Sequence, residues 1–278
     1  MLKQRLITAF CLLPLVVAVV WFDKPLPWLT IFAAIWGLLA ALEFYRAVSA
    51  SGQKAMPLTA LGLILTLLLI ISGDSELLNI LGKSFDTSLI KPALLAATLV
   101  LPFIWLLLRR RGNSFNSWAW TIAGVLYIGW LLGHLVALRG LDYGRDWVLL
   151  ALFVTFASDS MAYFIGSAFG RHPLAPGISP KKTWEGAVGG IAGAIGTGML
   201  IVLILDLPVT YIQAIPLAIG TSIFGQLGDL LESLFKRSVG IKNSGNTIPG
   251  HGGFLDRMDS VVFAGAFVYY YATVLCNG

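Results

Sequence analysis

A chain of 278 residues with 57% hydrophobic and only 12% charged residues does not read as a water-soluble globule, in which about a quarter of residues carry charge. Its formal net charge of +5 requires no nucleic acid, because basic cytoplasmic loops follow from membrane topology alone. The 2 cysteines, Cys11 in an apolar run and Cys276 near the chain end, form neither a disulfide framework nor a metal-ligand spacing.

The apolar runs are long and unbroken, which excludes the short alternating pattern of a membrane β-barrel. Lipid requires backbone groups to be paired within each segment, and about 20 apolar residues are needed for a helical crossing. The expected fold is therefore an all-α polytopic integral membrane protein with about nine transmembrane helices. In chain order they are Leu6–Phe22, Leu26–Leu42, Pro57–Ser72, Pro92–Leu108, Trp118–Leu138, Trp147–Ala168, Gly186–Leu205, Pro208–Leu227 and Val261–Cys276. The third is short. The first follows Lys3 and Arg5 like a signal peptide, but no small-residue cleavage site follows it, so it reads as a retained helix. No internal repeat of the transporter kind is evident.

Charge orients the bundle. With the N-terminus inside, 14 Lys and Arg fall on cytoplasmic segments (Lys3, Arg5, Arg46, Lys54, Arg109, Arg110, Arg111, Arg171, Lys181, Lys182, Lys236, Arg237, Lys242, Arg257). Only Lys24, Lys83, Lys91, Arg139 and Arg145 lie outside. Short loops retain positive charge on the cytoplasmic side, so the arrangement is N-in/C-out. Two regions follow: residues 1–146, with about five spans, and residues 147–278, with cytoplasmic loops 169–185 and 229–259.

The first five spans carry few ionisable groups away from their ends. Glu43 reads as a helix-end carboxylate reaching the interface, and Arg109–Arg111 as a topology anchor beside lipid phosphates. The sixth span differs, because Asp159 lies well inside it and shares a helix face with Tyr163. Such a group faces a bundle interior or an aqueous cavity. Gly166 and Gly170 then permit close helix approach or a break. In the next loop, Ser179, Lys181, Lys182 and Thr183 precede a new helix, a ready anion site; His172 reads as an interfacial side chain.

Chemistry concentrates at the end of the eighth span. Asp229, Glu232, Ser233 and Lys236 recur at i, i+3, i+4 and i+7, on one helical face. Arg237 and Lys242 follow, then a glycine-rich run around His251, then Asp256-Arg257-Met258-Asp259. Asp256 and Asp259, three apart, would project from one face of a helix. Close carboxylates repel unless a cation or proton joins them. A few oxygen ligands with open positions suit Mg²⁺, and the neighbouring cations can neutralise phosphate. Together they indicate chemistry on a polyphosphate.

The run Ser233-Leu234-Phe235-Lys236-Arg237, Lys242, Gly245, Ile248-Pro249, His251-Gly252-Gly253-Phe254, Asp256-Arg257-Met258-Asp259 resembles the signature of the phosphatidate cytidylyltransferase (CDP-diacylglycerol synthase) family. Ser158–Tyr163 and Ser179–Gly186 are similar to its C-terminal half as well, and the resemblance extends from Trp147 to Tyr269. It implies cytidylyl transfer from CTP to phosphatidic acid, giving CDP-diacylglycerol and pyrophosphate in phospholipid biosynthesis. It also implies the bacterial cytoplasmic (inner) membrane, with the active site facing the cytoplasm.

The expected cofactor is Mg²⁺, with a second metal or a monovalent cation left open. Asp229, Asp256 and Asp259 are assigned to metal binding and, with Lys242 and Asn243, to catalysis. Lys236, Arg237, Arg257, His251, Ser233, Ser179, Lys181, Lys182 and Asp159 are assigned to substrate. Partners are CTP, phosphatidic acid and membrane lipid, with room for a homodimer and no role for nucleic acid. One residue departs from the pattern: Asn243 stands where the family has Asp, which removes a charge and lowers the expected activity. A polyprenol kinase using CTP and an ion-coupled transporter are the alternative readings.

Overall fold

The computed structural model describes residues 2–22, 24–51, 55–81, 87–109, 114–245, 247 and 252–276. The helices are α1 (Leu2–Trp21), α2 (Trp28–Ala50), α3 (Thr59–Ile71), α4 (Ser75–Leu81), α5 (Ile90–Arg109), α6 (Ser114–Gly124), α7 (Leu131–Arg139), α8 (Gly144–Phe169), α9 (Trp184–Leu205), α10 (Tyr211–Ser238) and α11 (Asp259–Cys276). A π-helical segment, Val125–Trp130, makes α6 and α7 continuous. Six helical stretches are long and apolar enough to cross a membrane: Trp28–Ala50, Ile90–Arg109, Ser114–Arg139, Gly144–Phe169, Trp184–Leu205 and Tyr211–Ser238. Shorter apolar helices occupy Leu12–Trp21, Thr59–Ile71 and Asp259–Leu275. Every span read from the sequence overlaps one of these helices.

One short strand pair accompanies the helices. Within the loop before α9, β1 (Pro173–Ala175) pairs antiparallel with β2 (Ser179–Thr183), Pro173 opposite Thr183 and Ala175 opposite Ser179. The Ala175-Pro176-Gly177-Ile178 link closes with Ile178 N–H donating to Ala175 O at 3.1 Å, and proline and glycine favour such a turn.

The chain forms two compact units, Met1–Gly140 with Ser238–Arg257, and Leu141–Arg237 with Met258–Gly278. Residues 238–257, grouped in the sequence reading with the C-terminal region, thus fold with the N-terminal helices. In the first unit Tyr45, fully buried, donates its hydroxyl to Thr121 O at 2.9 Å and packs edge-on to Phe44. Thr30 donates to Asp74 at 2.6 Å, satisfying a buried carboxylate beneath the end of α3. Burial separates two roles among these helices. In the most apolar window of Ser114–Arg139, 78% of residues are buried, against 17% for α5, so α5 presents Leu101, Ile104, Leu107 and Leu108 outward. Arg109 at its end lies over the Trp105 ring, 4.7 Å from the centroid, an arrangement that shields a cation at an interface. Arg110 and Arg111 are outside the described residues.

In the second unit α8 and α9 are in close contact because α9 carries Gly186, Gly189, Gly190 and Gly193 along one stripe. A Cβ on Gly189 would come 2.6 Å from Ile165, and one on Gly193 2.5 Å from Met161. Small residues allow this approach where lipid supplies no hydrophobic drive between helices. A polar thread then joins three helices: Ser158 and Ser222 hydroxyls are 2.7 Å apart, and Gln226 donates to Ser222 Oγ at 3.0 Å and Ala187 O at 3.2 Å.

Candidate active site

The hairpin and the start of α9 position the first lysine. Thr183 caps α9, its hydroxyl accepting from Gly186 N–H at 3.2 Å, as threonine does at helix starts. Glu185 in the first turn accepts from the backbone N–H groups of Arg171 (3.1 Å) and His172 (3.3 Å) and contacts His172 Nδ1 at 2.6 Å. His172 is therefore tied to α9 rather than being only an interfacial side chain. The α9 N-terminus, expected to attract an anion, already has Thr183 and Glu185 beside it. With the strand so held, Lys182 Nζ lies 2.5 Å from Asp229 Oδ2 on α10. Lys181 is exposed and Ser179 partly exposed on the same strand.

The helical spacing expected for α10 is realised. Asp229 and Glu232 lie one turn apart, and Lys236 Nζ is 2.8 Å from Glu232 Oε2, a side chain only 1% exposed. Ser233 is partly buried beside them. Gly228 has no side chain to keep α11 away, for a Cβ there would overlap the carbonyl of Asp259. That approach brings Asp259 to α10: carboxylate oxygens of Asp229, Glu232 and Asp259 all lie within 4.8 Å of one another. Asp159, on α8, faces Asp229, Asp259, Lys182 and the Ser260 side chain. It is accessible at the surface of the fold although its helix is apolar. Arg237 ties the end of α10 to the hairpin, its Nε donating to Ile178 O at 3.3 Å.

Four carboxylates therefore gather around two lysines, leaving an excess of two negative charges if all ionise. Oxygen-only donors at this separation fit a hard divalent cation such as Mg²⁺, which would offset that excess. The sequence assigned Asp229, Asp256 and Asp259 to metal binding. Asp229 and Asp259 converge, and Glu232 joins them. Its i, i+3 spacing from Asp229 was visible in the sequence, but the family signature drew attention to Asp256.

Asp256 has another environment, in the first unit. A single-turn 3₁₀ helix, Leu255–Arg257, precedes α11, so Asp256 and Asp259 are not on one continuous α-helix. Asp256 Oδ2 accepts from Ser244 N–H (3.1 Å), Ser244 Oγ–H (2.8 Å) and Gly253 N–H (2.8 Å). Gly252, at φ +84°, supplies the left-handed turn that aims Gly253 N–H at this carboxylate. Lys242, Asn243 and Arg257 are exposed on the same loop. His251 lies outside the described residues, as do Ile248 and Pro249.

Glu43 was read as an interfacial side chain, and the structure corrects this. It is 9% exposed and accepts from Thr247 Oγ1 (2.7 Å) and Leu255 N–H (3.1 Å), with Ser244 Oγ 3.4 Å away. No local pattern signals these bonds, because the partners lie about 200 residues later in the chain.

Comparison with known proteins agrees with the motif. The model of the cytidylyltransferase family matches residues 3–275. The phosphatidate cytidylyltransferase of Bacillus subtilis (strain 168) is 40% identical over 179 residues, covering 64% of this chain and 66% of that protein. Phosphatidate cytidylyltransferase 5, chloroplastic, of Arabidopsis thaliana is 35% identical over 265 residues, covering 86% and 64%. The phosphatidate cytidylyltransferase of Brucella abortus is 41% identical over 160 residues, covering 57% and 58%. The aligned regions thus span 58% to 66% of these relatives' own lengths. With the family model matching almost from end to end, the chain belongs to the cytidylyltransferase family.

Proposed function

We propose that the chain is a phosphatidate cytidylyltransferase, transferring the cytidylyl group of CTP to phosphatidic acid. The observation that carries this reading is the convergence of Asp229, Glu232 and Asp259 beside Lys182 and Lys236. It lies within a bundle of membrane-length helices, where a lipid substrate and a charged nucleotide can both be reached. The proposed topology is about nine crossings, N-in/C-out, in the bacterial cytoplasmic membrane with this site facing the cytoplasm. The lysine and arginine distribution supports that orientation.

In the reaction, a phosphate oxygen of phosphatidic acid forms a bond to the α-phosphorus of CTP. The bond from that phosphorus to the bridging oxygen of the β-phosphate breaks, and pyrophosphate leaves. The attacking phosphate is already anionic, so no strong base is required. Positioning and charge stabilisation supply most of such catalysis. Asp229, Glu232 and Asp259 would hold Mg²⁺, which when bound supplies charge stabilisation to attacking and leaving oxygens. Lys182 and Lys236, paired with Asp229 and Glu232, would be the lysines that bind substrate phosphate at this site. By the motif, Lys181, Arg237, Lys242, Arg257, Ser179, Ser233 and His251 would be the further substrate contacts. Asp256 organises the loop that presents Lys242 and Arg257. Asp159, beside Asp229, Asp259 and Lys182, would be a further substrate contact.

Pyrophosphate release from CTP tests the proposal, with phosphatidic acid in detergent micelles and Mg²⁺ titrated, for this chain and for Asn243→Asp. Lipid-dependent release is expected from both, faster for Asn243→Asp. CDP in place of pyrophosphate would establish the polyprenol-kinase chemistry instead. Substrate-driven flux in sealed proteoliposomes without turnover would establish a transporter.

A further inference from the structure

We infer that Glu43, on a helix far from the signature in sequence, is the positioning residue that holds the signature loop in its working conformation. Its carboxylate meets two donors from the loop at once, Thr247 Oγ1 on one oxygen and Leu255 N–H on the other, with Ser244 Oγ 3.4 Å away. Backbone at Gly245 and Gly253 lies close to the carboxylate. A Cβ on Gly245 would stand 2.6 Å from Glu43 Oε1, and one on Gly253 would overlap Glu43 Oε2 and Ser244 Oγ. Two glycines of the signature thereby have a reason that involves no nucleotide: they clear space for this side chain.

A second anchor lies two turns earlier on α2. Trp36 donates its indole N–H to Phe254 O at 3.1 Å and meets the Phe254 ring edge-on, with centroids 4.8 Å apart. Seven residues separate Trp36 from Glu43, so both project from one face of α2. Leu255, between the two anchored positions and Asp256, is fully buried. Ser244 connects Glu43 to the loop's own carboxylate. Its hydroxyl lies 2.8 Å from Asp256 Oδ2 and 3.4 Å from Glu43 Oε2. The residues fixed in this way flank Lys242, Asn243 and Arg257, and the chain continues from Arg257 through Met258 to Asp259.

Donors on both sides require an acceptor with two oxygens, and an ionised acceptor makes the stronger bonds. An amide offers one oxygen and turns an NH₂ group toward donors. Glu43→Gln is therefore expected to release the loop while keeping the side chain's volume. The inference rests on the cytidylyltransferase reading for its catalytic consequence, but the loop's conformation can be read without turnover.

The test is limited trypsin digestion of the full chain in detergent, with the rate of cleavage after Lys242 followed by mass spectrometry, alongside pyrophosphate release in the Asn243→Asp background. Glu43→Gln is expected to raise cleavage at Lys242 about tenfold and lower kcat about tenfold, with Glu43→Asp intermediate in both. Thr247→Val, at an exposed position, is expected to raise the same cleavage about threefold should Glu43→Gln fail to fold. Asp74→Asn is the control, since it breaks the Thr30 bond in the same unit without touching the loop. Unchanged cleavage in both Glu43→Gln and Thr247→Val would overturn the inference, as would equal acceleration by Asp74→Asn. Wild-type and Asn243→Asp proteins that release no pyrophosphate would refute the proposed reaction, while the cleavage comparison would still decide the role of Glu43.

Discussion

The two units use carboxylates in opposite ways. In the first, Glu43 and Asp256 accept from N–H and O–H donors of one loop, and each fixes backbone through at least one N–H. In the second, Asp229, Glu232 and Asp259 face one another, with lysines as their ion-pair partners. A carboxylate saturated by backbone donors is a structural clamp. Carboxylates gathered against each other leave a charge that a cation or a substrate can use. Both kinds occur within the stretch from Ser233 to Asp259, Asp256 as a clamp and Asp259 as one of the gathered carboxylates.

Substitutions that separate the two roles can break this comparison. The largest effect is expected at Asp259. Asp259→Asn should lower pyrophosphate release by roughly 10²–10³-fold and raise the Mg²⁺ concentration for half-maximal rate. A normal Mg²⁺ dependence would remove Asp259 from the cation site.

Lys182→Met comes next. It removes the partner of Asp229 and a phosphate contact, and kcat/KM for CTP is expected to fall about 10-fold to 100-fold, corresponding to one charge-assisted bond. A fall carried entirely by unfolding, read from the thermal transition, would make Lys182 structural.

Gly189→Leu should act on packing instead. The added side chain meets Ile165, and overpacking of this kind costs about 1–3 kcal/mol, seen as a lower unfolding temperature. Activity per folded molecule should change little, since the α8–α9 stripe carries none of the charged groups.

The smallest effect is expected for His172→Ala. Its side chain is 77% exposed, and the pair with Glu185 sits at the surface, where ion pairs contribute little. Turnover within twofold of wild type is expected, because Glu185 still accepts from the Arg171 and His172 backbone.

Much of this architecture is legible along the chain. A bilayer demands long apolar helices, and such runs can be counted, so the helical spans appear where hydropathy puts them. Asp229, Glu232 and Lys236 are equally local, because helical periodicity alone puts them on one face. The β1–β2 hairpin was missed because Pro173–Thr183 is short and polar, with no alternating apolar pattern. The role of Glu43 was missed for a different reason. A lone carboxylate at a helix end has many outlets, and nothing near it in sequence names its partners.

By itself, then, the sequence determined the helices, the charge bias, the signature and the candidate phosphate contacts, since each depends on spacing between neighbours or on the solvent each segment requires. Tertiary structure decided which carboxylates meet. It set Asp259 beside Asp229 through the space left at Gly228, paired Lys182 with Asp229, and closed the signature loop on Glu43. Those pairings depend on how close backbones approach and which donors remain unsatisfied after the helices form, and only the folded chain resolves both.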